Sequence, residues 1–275
     1  MKRLIVTADD FGLSLAVNEA VERAARDGIL TCASLMVGAD AAADAVERAR
    51  RLPELKVGLH LVLVNGRPLL PPGKLPALVG ADGGFLTDLF QAGVRCFFQP
   101  GARGQIEAEL RAQFEAFKKT GLPLDHVNAH CHFHLHPTVL GLILKVGRDY
   151  GMRAIRLPAE PEGAGGLGGI ALAPWTSLLR ARLRKAGIRC NDYALGLSQT
   201  GAMGEKMVLT LLECAGALEG TGEIYFHPAT RRDPELIRAM PNYDHVGEFQ
   251  ALMSPKVRAA LERLGIDRAS FSDLA

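Results

Sequence analysis

Leu4-Ile5-Val6-Thr7-Ala8-Asp9-Asp10-Phe11-Gly12-Leu13-Ser14 is a short apolar run that ends in two adjacent carboxylates and a turn, and the next residues, Leu15–Arg26, are helical in pattern. Branched residues over so short a run favour a strand. In the segment that follows, Val17, Ala20, Val21 and Ala24 recur at the spacing of one helix face, and Gly28 stands just past its end. Ser14 is placed to cap that helix. A strand leading straight into a helix opens a βα unit. Asp9 and Asp10 then lie at the strand's C-terminal tip, the end at which parallel α/β folds build their sites.

The same grammar continues along the chain. Further strands are expected at Leu30–Met36, Lys56–Leu61, Asp125–Ala129, Arg153–Leu157, Asp192–Leu195 and Glu223–Phe226, with an eighth at Ala269–Ser272. Helices are expected at Ala41–Arg51, Gln105–Lys119, Thr138–Tyr150 and Lys206–Leu218, each before a Gly or Pro. Strands that alternate with helices predict a mainly parallel sheet of seven or eight strands. Two stretches break the rhythm, 64–103 and 158–169, and both read as long loops on the functional face. Neither is a phosphate-binding loop, because no GxGxxG directly follows a strand and no Gly-Lys-Ser/Thr occurs.

With 275 residues, 48% of them apolar and 23% charged, the chain has the material of one α/β domain, 1–275, with a sizeable core. Thirty-two basic against thirty acidic residues give a formal +2, which calls for no nucleic-acid partner. Cys32, Cys96, Cys131, Cys190 and Cys214 form no CxxC pair and are odd in number, the pattern of reduced thiols. The apolar run after Lys2-Arg3 is too short for a signal peptide, so a cytoplasmic protein is expected.

Chemistry concentrates at the strand tips. Paired acids can divide labour, one as a metal ligand and the other as a general base, although one could instead cap a helix. His60 ends the third strand in Gly58-Leu59-His60-Leu61, where a hydrogen-bonded core histidine is the bland reading. Asn128-Ala129-His130-Cys131-His132-Phe133-His134-Leu135-His136 places four imidazoles at alternate positions, a density that packing does not explain and a metal with neighbouring substrate contacts does. His227 follows the strand Glu223–Phe226. An Asp with two His leaves positions open for water and substrate and suits zinc or another divalent transition metal, with magnesium also open.

These blocks, Ala8-Asp9-Asp10-Phe11-Gly12-Leu13-Ser14, Gly58-Leu59-His60, Asn128 to His134 and Phe226-His227-Pro228, resemble the signatures of the YdjC-like carbohydrate deacetylases, in order and over nearly the whole chain. Lys2-Arg3-Leu4-Ile5-Val6-Thr7 and Ala33-Ser34-Leu35-Met36-Val37-Gly38 are most similar to the hopanoid-biosynthesis-associated branch, HpnK. The resemblance implies an irregular, TIM-like (β/α) barrel. It implies one divalent metal, zinc or magnesium, held by Asp10, His60 and His130, with Asp9 as general base and His227 as general acid. His132, His134 and Arg156 are the expected substrate contacts. Many family members carry Asp-Ser where this chain has Asn128-Ala129.

The activity so implied is removal of the N-acetyl group from an N-acetylglucosamine-type sugar, lipid-linked in the hopanoid case and a soluble chito-oligosaccharide otherwise. A metal-dependent phosphoesterase is the second reading, although its two- or three-metal sites need more carboxylates than are found. A non-catalytic metal- or glycan-binding protein is the third. The aromatic and aliphatic residues between Phe85 and Phe98 would suit a lipid tail. Trp175 to Arg189 interleaves apolar and basic residues, which fits peripheral contact with an anionic membrane, although a solvated outer helix of the barrel is the commoner explanation.

Overall fold

The first strand, β1 (Lys2–Phe11), pairs along both edges, which is why Leu4–Phe11 are all buried and why the run lacks the alternation of a half-exposed strand. The structure is a computed structural model that describes residues 2–162, 164 and 167–274. After β1 come α1 (Leu15–Asp27), β2 (Cys32–Leu35), α2 (Ala42–Arg50), β3 (Lys56–Leu61), α3 (Leu89–Phe98) and α4 (Ala102–Lys119). Next are β4 (Val127–Ala129), α5 (Pro137–Asp149), α6 (Leu167–Lys185), β5 (Tyr193–Leu195) and α7 (Glu205–Gly216). The chain closes with β6 (Gly220–Phe226), α8 (Pro234–Ala239), α9 (His245–Met253), α10 (Pro255–Arg263) and β7 (Asp267–Ala269).

The strands form one curled parallel sheet in the order β4-β3-β2-β1-β6-β5, with β7 also on β1. β6 follows one edge of β1 from Lys2 to Ala8. The other edge is shared, first by β7 at Arg3–Ile5 and then by β2 from Thr7 to Phe11. On the β2 side the register shifts between Ala8 and Phe11, and Asp10 adopts the left-handed backbone (φ 61°). Successive residues of a regular strand face opposite ways. The irregularity at Asp10 turns both acids into the barrel interior.

The expected strand Arg153–Leu157 is not a ladder strand. It crosses the arc between β4 and β5 through isolated bridges, Val127 to Ile155 and Ala154 to Arg189. The Asn191 side chain takes the place of a neighbouring backbone: its Oδ1 accepts from Leu157 N–H (2.8 Å) and its Nδ2 donates to Leu157 C=O (2.9 Å). The stretch 64–103 is not wholly loop either, because Asp88 caps α3 by accepting from Gln91 N–H. The expected loop 158–169 gives way to α6 at Leu167, and its residues 163, 165 and 166 lie outside the described residues. The eighth strand is displaced toward the N-terminus, to Asp267–Ala269, because Ser270 and Asp273 cap each other in a tight turn just beyond it. α8, α9 and α10 carry their own start signals, Asp233-Pro234, Asp244 and Ser254-Pro255.

In α6, Leu179 and Leu183 are buried, while Arg180 and Arg182 donate to the carbonyls of Asn191, Asp192 and Pro137. Leu179 and Leu183 therefore face the barrel, while Leu172 and Leu178 of the same helix are exposed. Among the described residues no helix is long and apolar enough to cross a membrane.

Candidate active site

Three strand tips converge inside the barrel. β1 brings Asp10, β3 brings His60, and the turn after β4 brings His130. His60 Nε2 and His130 Nδ1 each stand 3.3 Å from Asp10 Oδ1, and the two nitrogens are 3.5 Å apart. Both Asp10 oxygens are buried and neither makes a hydrogen bond. A buried carboxylate without a donor is costly. Burial alone would raise the Asp10 carboxyl, but the neighbouring His130 holds it well below the usual carboxylate range. His130, which burial would lower, is raised well above the ordinary histidine value by the Asp10 carboxylate. The pair thus favours one positive charge between its members, and the residues fit a cation.

Asp9 is held differently. Burial would raise its carboxyl, yet Arg156 holds it far below the ordinary value. Arg156 donates from Nη1 to Asp9 Oδ2 (2.5 Å) and from Nη2 to Oδ1 (3.0 Å), and Asn128 Nδ2 adds a third donor at 3.0 Å. The same guanidinium binds Glu223 through Nε and Nη2, at 2.9 and 2.7 Å. Thr7 Oγ1 donates to Glu223 as well. With the histidines neutral, as metal ligands must be, Asp9, Asp10 and Glu223 bring three negative charges against one positive on Arg156, so two negative charges remain uncompensated in a water-poor interior. A divalent cation supplies that balance.

A cavity of about 380 Å³ opens above the triad, lined by Asp9, His60, His130, His132, Tyr225 and His227 among others. Cys131 and His132 both take positive φ (52°), and that turn carries the imidazole of His132 to the cavity wall. His132 Nε2 lies 3.1 Å from the Tyr225 hydroxyl, which also meets Thr200 Oγ1 at 2.6 Å. His227 is half-buried; burial lowers its pKa, opposed by the Asp10 and Asp9 carboxylates, so the ring rests neutral near pH 7.

Two of the expected substrate contacts lie elsewhere. His134 donates from Nε2 to the Arg156 carbonyl (3.0 Å) and is pushed down to about 3 by burial and the Arg156 charge. Arg156 is fully buried between Asp9 and Glu223. Neither lines the cavity. Arg156 departs from the expectation because two carboxylates within the barrel claim its donors. Sequence reasoning missed Tyr225, Thr200, Tyr243 and Glu248. Tyr225 stands on β6 two residues before His227, which directly follows the strand, and the period of two was a signal for it. Glu248, on α9, accepts the backbone N–H of His227 (2.5 Å), and burial pushes it up to about 7.

A sequence profile described as YdjC-like protein matches residues 3–263. A carbohydrate deacetylase of Vibrio vulnificus (strain CMCP6) is 42% identical over 162 residues, 58% of this chain and 62% of the relative. Another carbohydrate deacetylase, from Brevibacillus brevis, is 38% identical over 148 residues, 54% of this chain and 56% of that one. The chain thus spans about three fifths of the length of these relatives. A crystal structure from Enterococcus faecalis V583, of a protein provisionally assigned to cellobiose-phosphate cleavage, superposes with a TM-score of 0.79 at 27% identity over 98% of this chain and 97% of that one. An uncharacterised Agrobacterium tumefaciens C58 protein shares the fold with a TM-score of 0.52 at 14% identity, over 97% and 86%. On the profile match across nearly its whole length, the chain belongs to the YdjC-like protein family.

Proposed function

We propose that the chain is a metal-dependent carbohydrate N-deacetylase, one catalytic domain that hydrolyses the acetamido group of an N-acetylglucosamine-type sugar to the amine and acetate. The observation that carries this reading is the unpartnered Asp10 carboxylate between His60 and His130, below a cavity edged by Asp9 and His227. The Vibrio and Brevibacillus relatives, named as carbohydrate deacetylases, support the substrate class.

Asp10, His60 and His130 would hold the ion, and when bound it supplies Lewis acidity to the amide carbonyl. Their spacing of 3.3 to 3.5 Å favours zinc. Ligand atoms about 2.0–2.1 Å from a tetrahedral centre stand about 3.4 Å apart, whereas the edges of a magnesium octahedron are about 3.0 Å. Two imidazoles also favour a transition metal over magnesium.

Asp9 accepts three of the roughly four hydrogen bonds a carboxylate can take, and the remaining site receives the attacking water. Arg156 keeps Asp9 ionised and fixed, at the cost of basicity, so proton transfer follows as charge grows on the amide oxygen. His227, neutral at rest, takes up that proton and delivers it to the departing nitrogen. His132 and Tyr225 contact the sugar. His134 and Arg156 act by position.

The lipid-linked sugar, an N-acetylglucosaminyl hopanoid, is the acceptor we favour. The opening run and Ala33–Gly38 resemble the HpnK branch, and α3 presents Phe90 and Phe98 at 82% and 79% exposure, with Leu89 at the cavity. α3 is the nearer candidate for membrane contact, since it carries the most exposed aromatic rings and adjoins the cavity. Acetate release from metal-loaded protein, given lipid-linked and soluble N-acetylglucosamine conjugates, tests both levels. Release from soluble chitobiose alone overturns the lipid assignment, and release from no acetamido sugar overturns the deacetylase.

A further inference from the structure

Cys32, Asp125 and His126 are all buried at the opposite end of the barrel interior from the cavity, near enough to one another to suggest a second cation site. Their hydrogen bonds argue against it. Asp125 Oδ2 accepts from His126 Nδ1–H (2.9 Å), and Oδ1 accepts from the backbone N–H of Ser272 (3.0 Å) and from its hydroxyl. Cys32 Sγ lies 3.7 Å from Asp125 Oδ2, and burial together with that carboxylate keeps the thiol protonated.

From this anchor the direction of every bond is forced. His126 Nε2 lies 3.0 Å from Ser34 Oγ, and Ser34 Oγ lies 2.9 Å from Asn128 Nδ2. The amide nitrogen can only donate, so the serine hydroxyl accepts from Asn128 and donates to His126 Nε2. The second proton on Asn128 Nδ2 goes to Asp9 Oδ1, a pure acceptor, which fixes the amide orientation independently. Asn128 Oδ1 therefore faces His60 Nδ1 at 2.7 Å and must receive its proton. Nε2, the atom beside Asp10, is left with its lone pair. Gly58 belongs to the same device, because a Cβ there would stand 2.5 Å from the His126 ring.

We infer that Asp125, His126, Ser34 and Asn128 form a hydrogen-bonded column through the barrel that positions His60 and selects its metal-binding tautomer. The inference rests on the assignment of His60 as a ligand. An aspartate at 128 could accept from His60 but would present a second carboxylate to Asp9. The amide serves both neighbours at once. Groups that orient metal-bound histidines typically contribute 10–100-fold in metal affinity.

The experiment is zinc affinity by chelator competition for wild type, Ser34→Ala, His126→Phe and His60→Ala, with the ring nitrogens of His60 followed by NMR in the zinc-loaded proteins. Ser34→Ala should weaken zinc about tenfold or more and turn the slowly exchanging His60 Nδ1–H into a fast-exchanging one, with the thermal transition still cooperative. His126→Phe keeps the ring volume against Phe271 and should act in the same direction; if it does not fold, Ser34→Ala decides alone. Affinity within twofold of wild type and an unchanged Nδ1–H in Ser34→Ala overturn the column. So does a second zinc that Cys32→Ser removes. Undiminished zinc in His60→Ala would instead overturn the ligand assignment itself.

Discussion

At the scale of single residues, Asp9 and Asp10 are chemically identical neighbours with opposite surroundings. Asp9 accepts three hydrogen bonds from Arg156 and Asn128, while among the described residues neither Asp10 oxygen receives one. Asp10→Ala, His60→Ala and His130→Ala should each lose bound metal. Asp9→Asn should keep it and lose about 10²- to 10⁴-fold in turnover, the usual range for a proton-transfer group. Elemental analysis beside acetate release separates the two classes, and full metal content in the three ligand variants would sink the division. Arg156 is a different case: removing it leaves Asp9 and Glu223 buried without their cation, so Arg156→Ala should cost about 3–5 kcal/mol of stability before any question of activity arises. His227→Ala should lower kcat by about 10²- to 10⁴-fold with little change in KM, since protonation of the amine matters in the transition state. A raised KM at unchanged kcat would make the ring a sugar contact.

At the scale of elements, α9 reaches the site through one buried acid. Glu248 accepts from the backbone N–H groups of Met203 and His227, and burial lifts it from 4.5 to about 7. A folded pKa above the unfolded one means the native state binds the extra proton. Its stabilising share is whole below about pH 4.5 and is lost as pH rises through about 7. Glu248→Gln removes this titration, so the stability difference between wild type and variant should shrink, by about 3 kcal/mol, from pH 4.5 to 8 in denaturant titrations. A constant difference would place the titration elsewhere. Elements such as β1, α1 and β3 were legible because period and caps agree within one short window. The strand expected at Arg153–Leu157 was not, because whether an extended segment pairs depends on a partner, and here Asn191 stands in for the partner's backbone. Residues at strand tips supplied the candidate ligands, and the family resemblance singled out Asp10, His60 and His130 among them. The column beneath it did not, since Ser34 and His126 are unremarkable in sequence and acquire meaning only when Gly58 lets the ring lie across β3.

At the scale of the whole molecule, the barrel encloses two uncompensated negative charges once its ligand histidines are neutral, and their balance should appear in its stability. Asp9, Asp10, Glu223 and Arg156 are all 2% exposed or less, so solvent screens them little. A cation that binds only the folded chain stabilises it by mass action, about 2.7 kcal/mol at a hundredfold excess over Kd. For chains of about this size each kcal/mol moves Tm by about 2–4 °C, which gives a fall of roughly 5–10 °C when a chelator strips the metal. Asp10→Asn is the control that assigns the effect. It removes one buried charge together with the ligand, so its Tm should not respond to zinc and should lie above that of stripped wild type. Differential scanning calorimetry with and without zinc measures both quantities. A zinc-dependent rise of the same size in Asp10→Asn would mean that the stabilising cation sits somewhere other than between Asp10, His60 and His130.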